Sequence, residues 1–234
     1  SMFDVDIGIQ PVQGSDDYEA ELQWSVPLSL QSVGEHNFTL GTEYLRNDIY
    51  WSIEEADSGR ALTTAVDTSK DAWSVYLQDE FFITDTVTLT AGLRGDFYDD
   101  FDDQFSPKLS LLYKQSEATQ YFVSGGYAYN PPAYSDKFGT DWNMTAYTVR
   151  TNNPDLDAEK LRSVEVGVRK KLADFFQGSL TAYYAKADDM IESINEKREV
   201  GGAGSHVYMT YEYHDNIDEA TMKGIESEFK FDLA

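Results

Sequence analysis

The chain has 234 residues, with 18 Lys and Arg against 42 Asp and Glu, a formal net charge of −24. This balance disfavours a nucleic-acid partner, because phosphate recognition needs Lys and Arg, and the lack of cysteine excludes disulfides and thiolate metal sites. Aromatic residues make up 14%, among them 16 Tyr and 13 Phe, heavy for a water-soluble domain and natural for a barrel ringed by aromatic girdles.

No apolar run approaches the roughly 18 residues of a membrane helix. A mean hydropathy of −0.49 leaves a membrane barrel open, since only alternate residues of each strand would face lipid. No signal peptide is legible, and Ser1-Met2 resembles a tag-cleavage scar.

In chain order, residues 3–10 alternate briefly. Residues 18–30 place Tyr18, Ala20, Leu22, Trp24, Val26 and Leu28 on one face, with Glu19, Glu21, Gln23 and Ser25 opposite. Pro27 falls near the strand end, where a missing ladder donor is tolerable. Residues 36–51 turn Phe38, Leu40, Thr42 and Tyr44 the same way. Residues 52–71 are polar and read as a long loop. Further strands are predicted at 72–83, 86–98, 106–114, 119–130, 162–171 and 177–190, and 206–232 reads as one long strand or two. The clearest is 86–98: Val87, Leu89, Ala91, Leu93, Gly95 and Phe97 share one face, while Thr88, Thr90, Gly92, Arg94 and Asp96 share the other. A strand of this length with an apolar face and a charged face suits a wall with lipid outside and water inside. Val164, Val166 and Val168 oppose Glu165 and Arg169 in the same manner, and Ile225 and Phe229 oppose Glu226, Glu228 and Lys230. Asp79 breaks the pattern, sharing parity with Val75 and Leu77 near a strand end.

Connections differ in length. Thr84-Asp85, Gln115–Ala118 and Ala173–Phe175 are short, whereas 46–71, 131–161 and 191–205 read as long loops, with 99–105 a shorter member of that set. Tight turns on one side and long loops on the other are the asymmetry of outer-membrane barrels. Phe81, Phe82, Tyr113, Tyr121, Phe175 and Phe176 cluster beside the short turns, as an interfacial girdle or as ordinary cross-strand pairs. The acids at Asp99–Asp103 read as a solvated rim. A calcium loop of the EF-hand kind would need a glycine and a distal Glu that are not there.

Catalytic chemistry finds no support, and the chain is not expected to be an enzyme or to carry a cofactor. His36, His206 and His214 are scattered and too few for a metal site. The glycines at 201, 202 and 204 are not followed by a helix and read as a loop tip rather than a phosphate cradle.

Residues 74–114 carry a Gln78-Asp79-Glu80 strand, a Thr84-Asp85 turn, a Thr-Ala-Gly-Leu-Arg strand and a Phe105-Ser106-Pro107-Lys108 entry to the next strand. This stretch resembles the mid-barrel of TonB-dependent outer-membrane receptors. Residues 125–136, Asn153-Pro154-Asp155-Leu156 with Ser163–Gly167, Ala220–Glu228, and Gly34–His36 with Glu43–Arg46 are similar to further segments of the family, in order, over residues 34–232. The Phe-Ser-Pro and Asn-Pro-Asp-Leu segments place the likeness nearest receptors of the ferric siderophore and colicin I kind.

The resemblance implies an all-β fold: an antiparallel transmembrane β-barrel segment of about ten or eleven strands out of the family's roughly 22, without its plug. Residues 1–234 would form one partial barrel domain. The resemblance also implies residence in the outer membrane of a Gram-negative bacterium and uptake of a ferric siderophore or similar iron chelate. The partners would be TonB, acting through the plug, and outer-membrane lipid. Ligand would be held by long outer loops, where Tyr50, Trp51 and Arg60 in 46–71 and Tyr134, Trp142, Tyr147 and Arg150 in 131–161 are candidates, or else serve loop packing. The second loop is net negative, which opposes steering of an anionic ligand and leaves neutral or less charged siderophores open. The rival readings are a soluble acidic β-sandwich binding module and a small closed barrel of the outer-membrane protease kind. Solubility without detergent would favour the sandwich.

Overall fold

In the computed structural model the described residues are all but 1–8, 31–33, 56–60, 100, 139–141, 146, 201–206 and 232–234. They form strands β1 (Ile9–Leu30), β2 (Gly34–Glu55), β3 (Ala61–Thr84), β4 (Val87–Tyr98), β5 (Gln104–Ser116) and β6 (Thr119–Asn130), then a one-turn helix α1 (Tyr134–Phe138). Two short strands follow, β7 (Trp142–Thr145) and β8 (Thr148–Arg150), then β9 (Glu159–Ala173), β10 (Phe176–Glu199) and β11 (Tyr208–Phe231). All eleven strands share one sheet in the order β1-β2-β3-β4-β5-β6-β9-β10-β11-β8-β7. Every pairing is antiparallel except β11 with β8. No second sheet packs on it among the described residues, which removes the β-sandwich reading, and the order does not close on itself as a small barrel would.

Register carries the strand-by-strand alternation across the whole sheet. Leu28, His36, Phe81, Leu89, Leu111, Val123, Val166, Ala182 and Ile225 are successive partners across nine strands. Trp24, Leu40, Leu77, Leu93 and Pro107 form a second such row. These side chains point away from the protein: Trp24 is 70% and Ile225 74% exposed. The opposite face carries Glu21, Glu43, Ser74, Asp96 and Gln104 in one register row. An apolar face this broad in water would be an aggregation surface. Against hydrocarbon it is a match, with the charged face turned to a hydrated lumen.

Asp79, the exception in the alternation, is answered by its register neighbourhood. His36 Nδ1 lies 2.8 Å from Asp79 Oδ2. The imidazole stacks on Phe81 at 4.3 Å and on Phe38 at 5.5 Å, so the polar pair is screened by rings. It sits beside the turn end of β3, where the penalty for polar groups against lipid is smallest. Tyr113 with Tyr121, and Phe176 with Phe229 and Phe231, stack at the same end. At Gly41 the ring of Tyr76 folds across the lumenal face and occupies the space a Cβ would take.

Two stretches read from sequence as long loops are strand for most of their length. β2 runs on to Glu55 and β3 begins at Ala61. Likewise β10 runs to Glu199 and β11 starts at Tyr208, so 206–232 is one strand rather than two. The physical reason is solvent: beyond the wall both faces meet water, so the apolar alternation that announces a strand disappears while backbone pairing continues. The Gly201–Gly204 stretch and most of 3–10 lie outside the described residues.

Candidate functional site

The wall is uneven in height at the end opposite the short turns. β3 pairs with β4 only from Ala72, so its residues 61–71 rise with β2 above β4. β10 leaves β9 at Asp188, and its residues 189–199 rise with β11. Each projection is about 35 Å of extended chain. Between them β4, β5, β6 and β9 are lower, and the 131–158 connection folds into that gap.

Asp189 marks where the β10–β11 hairpin departs. Its φ is 58°, a left-handed backbone that Asp tolerates better than most residues. Lys160 Nζ holds Asp189 Oδ2 at 2.7 Å, and Asn216 Nδ2 donates to the Asp189 carbonyl at 2.6 Å. Higher on the hairpin, Arg198 donates to Glu196 at 2.6 Å and holds that carboxyl below its ordinary range.

Pro131 and Pro132 end β6, since proline cannot donate to the ladder. The chain then turns inward through α1, where Asp136 and Lys137 amides donate to the Ala133 carbonyl. Lys70 Nζ of β3 lies over the Tyr134 ring at 4.7 Å, and Lys137 Nζ over the Phe101 ring at 5.8 Å. Returning, β8 pairs with Thr210–Glu212 of β11, on the edge away from β10. The connection leaves β6 and re-enters β9 at partnered residues, Asn130 and Glu159. Yet it touches β3 on one side and β11 on the other. Those strands are six steps apart in the sheet, an arc of about 29 Å at ~4.8 Å per step. A segment that reaches both crosses the concave, lumenal side. His214 and Asn216, which it contacts, have the parity of the polar face.

The crossing is fastened by named bonds. Arg150 donates to Asp136 Oδ1 at 3.0 Å, and His214 Nδ1 lies 3.4 Å from the same oxygen. Asn153 accepts from the Asp155 amide at 3.1 Å and donates to the His214 carbonyl at 3.1 Å. Asn216 Oδ1 takes the Asp157 amide at 2.8 Å while its Nδ2 reaches the Asp157 carbonyl at 3.1 Å. Lys137 donates to the Leu156 carbonyl at 2.8 Å. Leu156 has no exposed surface and Ala158 2%, in a protein with few other buried apolar residues. The Asn153-Pro154-Asp155-Leu156 segment is therefore a structural tie.

Beneath α1 the structure holds a cavity of about 530 Å³ on the lumenal face. Asp17 and Glu19 of β1, Asp71 of β3, Tyr98, Phe101 and Tyr134 are among its walls. A smaller one of about 230 Å³ shares Leu45, Ala72, Tyr98 and Pro131 with it and reaches down to Glu43, Arg94 and Asp96. There Arg94 Nε bonds Asp96 at 2.8 Å, and its terminal nitrogen meets Glu43 at 2.9 Å and Ser74 at 2.8 Å. Tyr98 and Tyr129 join hydroxyls at 2.6 Å above them.

Of the residues singled out from sequence, Tyr134 lines the larger cavity and Arg150 pairs with Asp136 near β11. Tyr147 is 65% exposed, and its carbonyl takes the Thr210 amide. Trp142 pairs with Arg150 through the backbone of β7 and β8. Tyr50 belongs to β2 on the apolar face, its ring over Gly14, turned away from the cavity. Trp51 is in β2, its side chain outside the described residues, and Arg60 lies outside them altogether. Reasoning by loop missed Asp17, Glu19, Lys70 and Tyr98, which reach the cavity from strands; side-chain parity in the tall strands was the available signal. Among the described residues no group of three or more acids or His is placed to hold a metal ion.

A family model described as "TonB dependent receptor-like, beta-barrel" matches residues 4–234. Among similar proteins, the iron-regulated outer membrane virulence protein of Vibrio cholerae is 25% identical over 199 residues, 83% of this chain and 29% of that protein. The vitamin B12 transporter BtuB of Vibrio vulnificus is 29% identical over 180 residues, 76% of this chain and 26% of that one. Among solved structures, a mutant ferric enterobactin receptor (PfeA) from Pseudomonas aeruginosa superposes with a TM-score of 0.74 at 21% identity, covering 95% of this chain and 34% of that one. The siderophore receptor PirA from Acinetobacter baumannii gives 0.68 at 18%, covering 94% and 35%. The chain spans about a third of the length of the proteins it matches.

Proposed function

We propose, from the premise that this chain belongs to the TonB-dependent receptor β-barrel family, that it is the lipid-facing wall and substrate-facing lumen of an outer-membrane importer for an iron chelate. The observation that carries the reading is the crossing segment 131–158 with the cavity beneath it. A receptor wall needs a concave, polar, partly roofed space at its outer end, lined by aromatic faces and a few directed polar groups. Tyr98, Phe101 and Tyr134 with Asp17, Glu19 and Lys70 supply such a lining. Relatives named for iron regulation and ferric enterobactin support iron over other cargo, and the B12 transporter among them marks the competing cargo class. Family-typical strands continuing from the edges of β1 and β11 would close the barrel, because lipid does not tolerate unpaired ladder groups. Inward release would draw on TonB through a plug.

Tyr134 and Arg150 are retained as ligand-site residues, the first by direct contact and the second by holding α1. Tyr147 and Trp142 stand at the β11 side of the same opening. Tyr50 is assigned to the outer surface of the β1–β3 projection. Deleting the receptor is expected to abolish growth on one ferric chelate under iron limitation, and a plasmid copy to restore it only when TonB is present. Unchanged growth on every iron chelate offered, with loss of cobalamin uptake instead, would move the assignment to the corrinoid class.

A further inference from the structure

We infer that the outward face of β9–β11, just above the apolar band, binds the phosphorylated headgroup of an outer-leaflet lipid, a reading that rests on the lipid-facing wall and is independent of the cargo. One register row shows where the band ends. Val26, Phe38, Asp79, Ala91, Leu109, Gly125, Val164, Tyr184 and Lys223 are successive partners. Strands tilted by about 40° make such a row climb, by about 19 Å over the six steps from β3 to β11, against an apolar band of about 25 Å. The row therefore enters the band beside Asp79, at the turn end, and leaves it at Lys223, at the outer end. The exposed apolar run stops at the same level: at Val164 on β9, Tyr184 on β10 and Ile225 on β11. The next outward positions on these strands are Arg162, Lys186 and Lys223.

The charges here are unevenly committed. Lys160 is closed by Asp189 at 2.7 Å. Lys186 is shared by Asp188, at 3.1 Å, and Glu219. Arg162 is 65% exposed and reaches Asp188 only at 3.6 Å. Lys223 is exposed and has no charged partner among the described residues. Four cations thus meet three carboxylates, and the surplus falls on Arg162 and Lys223. Their Cα atoms are two strands and two residues apart, about 12 Å, so two long side chains can close on one headgroup. Their apolar stems also let both charged heads rise from hydrocarbon into the headgroup layer. Tyr184, 47% exposed, lies on the strand between them, at the level where aromatic rings meet headgroups. Phosphate oxygens accept from guanidinium and ammonium, and cations at this boundary attract anionic lipid. The β2–β3 side of the boundary differs. Arg46 is held by Asp48 at 2.9 Å and lies 3.9 Å from Asp71, one cation between two carboxylates.

The test titrates the full-length receptor in nonionic detergent with three probes and counts bound copies by native mass spectrometry. These are a diphosphorylated disaccharide lipid, the same lipid with its phosphates removed, and inorganic diphosphate. The phosphorylated lipid is expected to bind on the order of tenfold more tightly than either of the others, with the gap narrowing as salt rises. The double variant Arg162→Gln, Lys223→Gln, checked for a heat-resistant folded barrel, is expected to lower its affinity to that of the dephosphorylated lipid. Arg46→Gln, at the same boundary on β2, is expected to change nothing. Glu219→Gln releases Lys186 and is expected to tighten binding. Equal binding of the two lipids by the unaltered receptor, or a gap that survives the double variant, overturns the inference. So does diphosphate binding as tightly as the phosphorylated lipid, which would make the site one for free phosphate. Binding lost in Glu219→Gln or on chelating divalent cations also overturns it, since the carboxylates would then act through a bridging metal.

Discussion

Individual residues in this chain are buried for two different reasons. Leu156 is enclosed because the crossing segment needs an apolar anchor, and Asn153, Asn216 and Lys137 answer the backbone groups around it. Leu156→Ala is expected to cost about 2–4 kcal/mol. That loss should appear as opening of the segment, with the barrel itself unmoved. Protease cleavage within 131–158 of the folded receptor would therefore rise while the thermal transition of the barrel stays in place. Arg150→Ala removes one partner of Asp136, whose side chain is 14% exposed, and leaves it the His214 and Ser135 contacts. A weaker effect in the same assay is expected, on the order of 1 kcal/mol. His36 and Asp79 are covered instead by rings on the lipid side. His36→Ala strands a half-buried carboxylate there and is expected to lower folded yield by on the order of 1–3 kcal/mol in a urea titration. The double variant His36→Phe, Asp79→Leu should recover the loss; no recovery would mean the pair does more than satisfy itself.

At the scale of elements, the sequence is legible where lipid and water lie on opposite sides of a strand, and illegible where water lies on both. β4 was readable almost residue for residue, because Val87, Leu89 and Leu93 alternate with Thr88, Thr90 and Arg94. The upper parts of β2, β3, β10 and β11 were not, since Asn47, Asp48, Glu196 and Lys197 show no period there although the ladder runs on. That is why two projections were expected as loops. The 131–158 connection was legible as a long functional segment, but its lumenal path was not: contacts to Lys70 and His214 depend on the curvature of the sheet, which no local pattern encodes. Parity within a strand makes a sharp test. Ile225→Arg puts a charge on the lipid face about mid-strand and is expected to cost roughly 2–4 kcal/mol of folding. Glu226→Arg, one residue on, faces the lumen and should change little. Folded fractions read by heat modifiability on a gel compare the two directly, and equal losses would contradict the assigned faces.

For the whole molecule, the apolar rows crossing nine strands and the polar rows behind them describe one curved wall. The two apolar rows named above hold no Asp, Glu, Lys or Arg, while the polar row behind them carries Glu21, Glu43 and Asp96. Two tall hairpins flank a lower wall, and a fastened segment crosses between them above a cavity. The central claim is that alternate residues see lipid and water along the same strand. Single cysteines at Leu93, Arg94, Ile225 and Glu226 can each carry a spin label in the full-length receptor in liposomes, this chain adding no other cysteine and any cysteine elsewhere in the receptor being replaced by serine. Labels at Leu93 and Ile225 should be relaxed by oxygen dissolved in lipid and shielded from a water-borne nickel complex, with the reverse at Arg94 and Glu226. Accessibility that fails to alternate between these neighbours would contradict the account.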